Sequence, residues 1–67
     1  MATSSLEKAL LRRLIWAQNF AARLLELGAP ATSEALFELG KDRYDSSPER
    51  DAVRAAESVW SEWQTES

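Results

Sequence analysis

The stretch from Leu6 to Leu27 constrains the fold more than any other part of the chain. Its 22 residues contain neither glycine nor proline, and Gly28 follows directly. Because glycine readily adopts the left-handed conformation that ends many helices, Gly28 predicts the C-terminus of a helix of about six turns. Ser4 is a suitable N-cap residue. We therefore predict a first helix from about residue 5 to residue 27.

Apolar residues cover more of this helix than a single packing face requires. They occupy about two thirds of its circumference, whereas a surface helix of a globular protein needs an apolar arc of about 100°. The main stripe consists of Leu6, Leu10, Leu14, Ala17, Ala21 and Leu24, and a second stripe beside it consists of Leu11, Ile15, Ala22 and Leu25. This width predicts two packing partners, the remainder of the chain and a second copy of the protein.

A second, shorter helix is predicted after the loop at Pro30. Thr32 or Ser33 provides the N-cap, since a side-chain oxygen there can accept a hydrogen bond from a free backbone N–H group. Gly40 allows two interpretations: it ends the helix at Leu39, or it lies inside a longer helix at a cost of about 1 kcal/mol relative to alanine. We predict the longer helix, over about residues 33–44.

A third helix is predicted from the pattern Ser47-Pro48-Glu49. Serine is a good N-cap, and proline is favoured at the first helical position, where its missing N–H group is not needed. We therefore predict a helix over about residues 48–64. Its apolar seam consists of Val53, Ala56, Trp60 and Trp63, with Ala52 and Val59 on either side.

These elements predict an all-α fold, a small helical hairpin or three-helix bundle that forms one domain over residues 1–67, with residues 1–3 and 65–67 frayed. A domain of this size buries only about 60% of the surface that its unfolded chain exposes, so it usually needs an additional source of stability. The chain has no cysteine, and disulfides are therefore excluded. We expect self-association into a dimeric helical bundle instead.

Charge is divided unevenly between the two halves of the chain. Residues 1–28 carry four basic and two acidic side chains, whereas residues 29–67 carry four basic and nine acidic ones. Opposite net charges attract, so we predict ion pairs between the first helix and the acidic second half. The net charge of −3 also argues against general affinity for nucleic acid.

The residues needed for catalysis or for metal binding are largely missing. The chain has no histidine and no cysteine, which removes the usual general base and the common transition-metal ligands. The carboxylates at residues 42, 45, 49 and 51 lack the spacing of a calcium loop. We therefore predict a protein that is not an enzyme and has no catalytic, cofactor or metal site.

Localisation is predicted from the absence of targeting signals. The first residues lack the basic segment of a secretory signal, and charged residues interrupt the apolar stretch that follows. No apolar run reaches the length of about 18 uncharged residues that would suggest a membrane span. We expect a cytoplasmic protein.

Surplus apolar surface and large aromatic side chains indicate a protein-binding function. Tryptophan is enriched at binding hot spots, and Trp16 is predicted near the edge of the polar face of helix 1. Trp60 and Trp63 lie on one face of helix 3, either as core or as contact residues. The predicted partner-binding residues are Leu11, Ile15, Trp16, Phe20, Leu25, Trp60 and Trp63. We predict a non-enzymatic protein–protein interaction module, such as an adaptor, a chaperone subunit or an inhibitor, whose partner is another protein or a second copy.

Two alternative functions involve nucleic acid. The basic residues of helix 1 could make the protein a small nucleic-acid-associated regulator; they are Lys8, Arg12, Arg13 and Arg23. Alternatively, the acidic run from Glu34 to Asp51 could act as a decoy that blocks the nucleic-acid-binding site of another protein.

Overall fold

The computed structural model describes residues 2–46 and 49–66, with the side chains of residues 6–46 and 49–65. The described residues form three helices, α1 (Ala2–Leu27), α2 (Ser33–Ser46) and α3 (Ala52–Glu66). Both α2 and α3 pack against α1, which is therefore the central element of the bundle. The all-α class and the three-helix architecture predicted from the sequence are confirmed.

Helix α1 ends where the sequence predicted, and Gly28 is the reason. Its φ angle is 100°, a left-handed conformation that strains residues with a side chain. The Gly28 N–H group donates to the Leu25 carbonyl oxygen at 3.1 Å, and the Ala29 N–H group donates to the Leu24 carbonyl oxygen at 3.0 Å. These two bonds form a Schellman motif, which satisfies carbonyl groups at the helix end and reverses the chain.

Helix α2 begins after the predicted N-cap residue Thr32. The Thr32 hydroxyl oxygen accepts a hydrogen bond from the Ala35 N–H group at 3.2 Å. Gly40 lies inside the helix, as the longer of the two interpretations predicted, and the helix continues two residues beyond the predicted end, to Ser46. A Cβ atom added to Gly40 would lie 3.0 Å from the Cα and carbonyl oxygen atoms of Ala17, so the glycine permits close contact between α1 and α2.

Helix α3 begins later than predicted, at Ala52 instead of Pro48. The N-cap is Asp51, whose carboxylate oxygen accepts hydrogen bonds from the N–H groups of Val53 at 3.0 Å and Arg54 at 3.3 Å. The predicted cap at Ser47 and the predicted first helical position at Pro48 lie outside the described residues. The prediction of the helix start was wrong because two segments with capping chemistry occur four residues apart.

Removing this cap is expected to destabilise the protein measurably. Asp51→Ala should lower the free energy of unfolding by about 1 kcal/mol, because two N–H groups at the start of α3 lose their acceptor. Urea denaturation followed by circular dichroism measures the change. Asp51→Asn is the matched control, since its amide oxygen can accept the same bonds. Equal stability of Asp51→Ala and the native protein would contradict Asp51 as the cap.

The outer boundaries of α1 and α3 also differ from the predictions. Helix α1 begins at Ala2, three residues earlier than predicted, so Ser4 lies inside the helix and is not its N-cap. Helix α3 extends two residues past the predicted end, to Glu66. Residues 2, 3, 65 and 66 were expected to fray but belong to these helices, while residues 1 and 67 lie outside the described part of the chain.

The core lies at the level of the C-terminal half of α1. Its largest fully buried side chains are Phe20, Leu24 and Leu36. Helix α3 contributes mostly small residues: Ala52, Ala55, Ala56 and Val59 are buried. Val53 was predicted in the apolar seam, but its side chain is 41% exposed because the buried face of α3 is rotated towards Ala55. Because the buried residues of α3 are small, the large rings of Trp16 and Phe20 on α1 can fill the space between the helices.

Candidate protein-interaction surface

The N-terminal part of α1 extends beyond both other helices. Two contacts show how far along α1 the other segments extend. Asp45, near the C-terminal end of α2, forms an ion pair with Arg13. Arg50, in the segment before α3, accepts a hydrogen bond from Trp16. Residues 2–12 therefore project past the bundle, a length of about 16 Å at the helical rise of 1.5 Å per residue. We call residues 2–12 the overhang. The long dimension of the protein, 49 Å, reflects this extension.

Five large apolar side chains on the overhang and the turn that follows it are exposed. They are Leu6, Leu10, Leu11, Leu14 and Ile15, with exposed fractions between 39% and 65%. We call these five residues the overhang face. Single exposed leucines are ordinary, but several large apolar side chains exposed close together often mark an interaction site.

A shallow apolar groove continues from the overhang face towards the C-terminal end of α1. It has a volume of about 330 Å³ and lies between α1 and the start of α2. Ala22 and Leu25 form one wall, and Phe37 contributes to the other. Gln18 also lines the groove and interrupts the apolar strip in its middle. The second stripe predicted on helix 1 is therefore uncovered in the monomer along its whole length.

The predicted partner-binding residues fall into three groups. Leu11, Ile15 and Leu25 are exposed and remain available to a partner. Trp60 and Trp63 are partly buried against the core, and their rings contact each other edge to face at a centroid distance of 6.4 Å.

Trp16 and Phe20 form the third group and lie in the core. Trp16 was expected near the edge of the polar face, but only 7% of its surface is exposed, and Phe20 is fully buried. The two rings stack at a centroid distance of 5.3 Å, and the indole N–H group of Trp16 donates to the Arg50 carbonyl oxygen at 3.0 Å. This corrects the expectation that Trp16 is accessible: the segment before α3 covers it.

Three residues of the overhang face belong to the main stripe predicted on helix 1. Leu6, Leu10 and Leu14 belong to the same stripe as Ala17, which is buried, but Leu6 and Leu10 lie beyond the part of α1 that α2 and α3 reach. The predicted helix lengths could have shown that these residues are exposed. A first helix clearly longer than the two helices packed on it must project at one end.

Ion pairs connect α1 to the acidic half of the chain, as the charge distribution predicted. Arg13 binds both carboxylate oxygens of Asp45, at 3.0 and 2.8 Å, and Arg23 binds Glu57 at 2.8 Å. These hydrogen bonds are the main reason why the pKa of each guanidinium group is raised above its ordinary value. Both pairs are partly exposed, so we expect a small contribution to stability that decreases with salt.

Two cations of α1 remain outside these pairs. Lys8 and Arg12 lie on the exposed overhang and take part in no ion pair among the described residues. They flank the overhang face on one side. The overhang face therefore has a basic edge, but it also includes the exposed carboxylate of Glu7, which precedes Leu10 and Leu11 by three and four residues. The end of α2 carries Asp42 and Asp45.

The described residues provide little that would support chemistry at a site. Among them, no group of three histidine, cysteine or acidic residues is arranged to hold a metal ion. A wider depression lies beside Trp16 and includes Arg12, Arg50 and Asp51, but the Asp51 carboxylate already accepts the cap hydrogen bonds of α3. None of the three helices combines the length and the apolar character required to cross a membrane, within the residues described.

Comparisons with protein-family models, with curated proteins and with solved structures find no match to this chain.

Proposed function

We propose that the protein is a non-enzymatic protein–protein interaction module that binds its partner through the overhang face. The observation that supports this proposal is the set of five large apolar side chains exposed between residues 6 and 15 of α1, three of which lie on the overhang that neither α2 nor α3 covers. An adaptor, a chaperone subunit or an inhibitor of a larger protein would act through such a surface.

The overhang face has the spacing by which helices are recognised. Leu6, Leu10 and Leu14 follow one another at intervals of four residues and present one ridge along α1. Amphipathic helices bind in grooves or against other helices through side chains at such intervals. Full burial of an exposed leucine side chain contributes about 1.5–3 kcal/mol. These side chains are 39–65% exposed, so each contributes a part of that amount when a partner covers it.

The nucleic-acid alternatives receive less support from the charges. Arg13 and Arg23, two of the four cations on which the regulator hypothesis depended, are bound to carboxylates of the same chain. The acidic run that would form a decoy is also partly engaged, since Asp45 pairs with Arg13 and Asp51 caps α3. No specific observation favours either alternative over the interaction module.

Site-specific cross-linking tests the proposed function. A photoreactive amino acid placed at Leu11 should form covalent adducts in a lysate of the protein's native cells, because the overhang face is then in contact with its partner. The adducts are detected by gel electrophoresis and mass spectrometry. Ser61, which is exposed on α3, is the control position and should yield no comparable adduct. Absence of adducts at Leu11, or equal yields at both positions, would contradict the proposal.

A further inference from the structure

We propose that the depression beside Trp16 binds a carboxylate group attached to an apolar or aromatic body, and that Arg12 and Arg50 hold the carboxylate. The depression, which we call the Trp16 depression, is also lined by Ile15 and Tyr44 and has a volume of about 700 Å³. Small-molecule sites have volumes of about 300–1,000 Å³. The inference goes beyond the proposed function, because this site needs no protein partner to bind its ligand.

Three segments of the chain meet at the Trp16 depression. Arg12 and Ile15 belong to α1, Tyr44 belongs to α2, and Arg50 lies in the segment before α3. The Trp16 indole N–H group donates to the Arg50 carbonyl oxygen at 3.0 Å, which holds this segment against α1. The rings of Trp16 and Tyr44 pack edge to face at a centroid distance of 5.5 Å, which holds the end of α2 at the same place. The walls of the depression are therefore positioned by contacts of the core.

Arg12 and Arg50 are the cations of this depression, and neither is engaged elsewhere. Among the described residues, their side chains take part in no ion pair and no side-chain hydrogen bond. Arg13 and Arg23 differ in this respect, since both are bound to carboxylates. Each guanidinium group presents N–H donors in a planar fork that matches the two oxygens of a carboxylate. Two unpaired guanidinium groups at one depression therefore favour an anionic ligand.

The charge of the site selects a carboxylate over a phosphate. The Asp51 carboxylate also lines the depression, but it accepts hydrogen bonds from the N–H groups of Val53 and Arg54 and caps α3. Two guanidinium groups and one carboxylate give a formal charge of 2 − 1 = +1. One carboxylate balances this charge, whereas a phosphate monoester of about −1.5 to −2 would leave the site negative.

The remaining lining favours a ligand with an apolar body. Ile15 is 55% exposed, and the Tyr44 ring is partly exposed. Such side chains bury the body of a small ligand, while a few polar groups fix its orientation. A peptide C-terminus that ends in an apolar residue and a free aromatic acid share this chemistry.

Titration of the isotope-labelled protein with phenylacetate, followed by two-dimensional NMR, tests the site. The indole N–H resonance of Trp16 is the reporter, because this group bonds to Arg50, and Trp16→Phe identifies it. Trp60 and Trp63 are internal references, since Trp60 lies against Gly28 at the other end of α1 and Trp63 packs on Trp60. Phenylacetate at up to about 10 mM, a range in which complexes of about 1 mM affinity saturate, should shift the Trp16 resonance. Absence of a shift would overturn the proposal.

Two further probes test the chemistry of recognition. Phenylacetamide has nearly the same shape as phenylacetate but no charge, so it should bind at least about tenfold more weakly, because it loses the charge-assisted hydrogen bonds to arginine. Inorganic phosphate should also bind more weakly than phenylacetate. If either probe binds as tightly as phenylacetate, the assignment of a carboxylate site is overturned.

Variants of the two arginines test the position of the site. Arg12→Gln and Arg50→Gln should each weaken phenylacetate binding about tenfold, the effect of losing a hydrogen bond to a charged group. Circular dichroism should show unchanged helicity, since both side chains are exposed. Lys8→Gln is the matched control: it removes the same charge one turn away on α1, but Lys8 does not line the depression, and the affinity should stay unchanged. An equal loss in Lys8→Gln would mean general charge attraction and would overturn the site.

N-acetylphenylalanine distinguishes the two sources of the ligand. Its carboxylate is that of a peptide C-terminus, so tighter binding than phenylacetate supports a peptide ligand, and weaker binding supports a free acid. All these titrations use the purified protein alone. Their failure would leave the proposed function of the overhang face standing, and failure of the cross-linking at Leu11 would leave the carboxylate site standing.

Discussion

Trp16→Ala is expected to lower the free energy of unfolding by about 3–5 kcal/mol, the range observed when a large buried aromatic side chain is removed. The indole ring is 7% exposed and stacks on Phe20. It also packs edge to face with the Tyr44 ring at a centroid distance of 5.5 Å. Truncation removes these contacts and leaves a cavity. Because the core of a domain below about 70–80 residues rarely supplies more than about 3–5 kcal/mol, the variant should be at least partly unfolded at room temperature.

Urea denaturation monitored by circular dichroism measures this effect, and two controls separate its causes. Trp16→Phe keeps most of the ring but removes the N–H donor to the Arg50 carbonyl oxygen, so it should cost less, about 1–2 kcal/mol. Leu11→Ala, at an exposed position of the same helix, should change stability by less than about 0.5 kcal/mol. A Trp16→Ala variant as stable as Leu11→Ala would show that Trp16 lies on the surface.

Gly40→Leu is expected to separate α1 from α2 and to cost at least about 3 kcal/mol, the upper end of the usual range for overpacked cores. A Cβ atom at this position would already lie 3.0 Å from two backbone atoms of Ala17 and 3.1 Å from its Cβ atom. Backbone atoms inside a helix cannot move aside as a flexible side chain can. The remaining atoms of leucine could be accommodated only if the two helices moved apart.

The matched control for this variant is Ala35→Leu. Ala35 lies on α2 as well, but it is exposed, so leucine there should be nearly neutral. Gly40→Ala should fall between the two, because the contact of its single methyl group opposes the gain in helix propensity of about 1 kcal/mol. Thermal unfolding of the three variants gives the ranking. If Gly40→Leu and Ala35→Leu are equally stable, the close approach of α1 and α2 at Ala17 is contradicted.

Features of the fold that depend on neighbouring residues were predictable. Gly28 ends α1 because only its own backbone conformation and two local hydrogen bonds are involved. Thr32 caps α2 for a similarly local reason, since its hydroxyl oxygen accepts a hydrogen bond from the N–H group three residues later. The ion pairs between α1 and the acidic half followed from net charge, although the pairing of Arg13 with Asp45 in particular did not.

The start of α3 could not be decided from local chemistry. Ser47 and Asp51 are both acceptable N-caps, and proline at residue 48 favoured the earlier one. The structure has α3 begin at Ala52, and the residues just before it lie against α1, where the Arg50 carbonyl oxygen receives the N–H group of Trp16. The later start of α3 is therefore accompanied by a contact between Trp16 and Arg50, which are 34 positions apart in the sequence.

The candidate surface shows the same division between local and long-range information. Leu11, Ile15 and Leu25 were predicted from the excess apolar width of helix 1, and they are exposed. Trp16 was misassigned because a helical projection gives the direction of a side chain but does not show which other segment covers it. Leu6 and Leu10 are exposed because the main stripe of helix 1 is buried only as far along α1 as α2 and α3 extend.

Three features follow from local sequence alone: the three helices, the sharp end of α1 and the wide apolar surface of that helix. Each depends on backbone preferences and side-chain periodicity within a few turns. Which part of the apolar surface of α1 is covered depends on how the three helices pack. Helix α1 has 26 residues, whereas α2 has 14 and α3 has 15, and both pack towards its C-terminal end. Burial requires atoms from distant segments, so the relative position of the helices places Trp16 in the core and leaves the overhang face exposed.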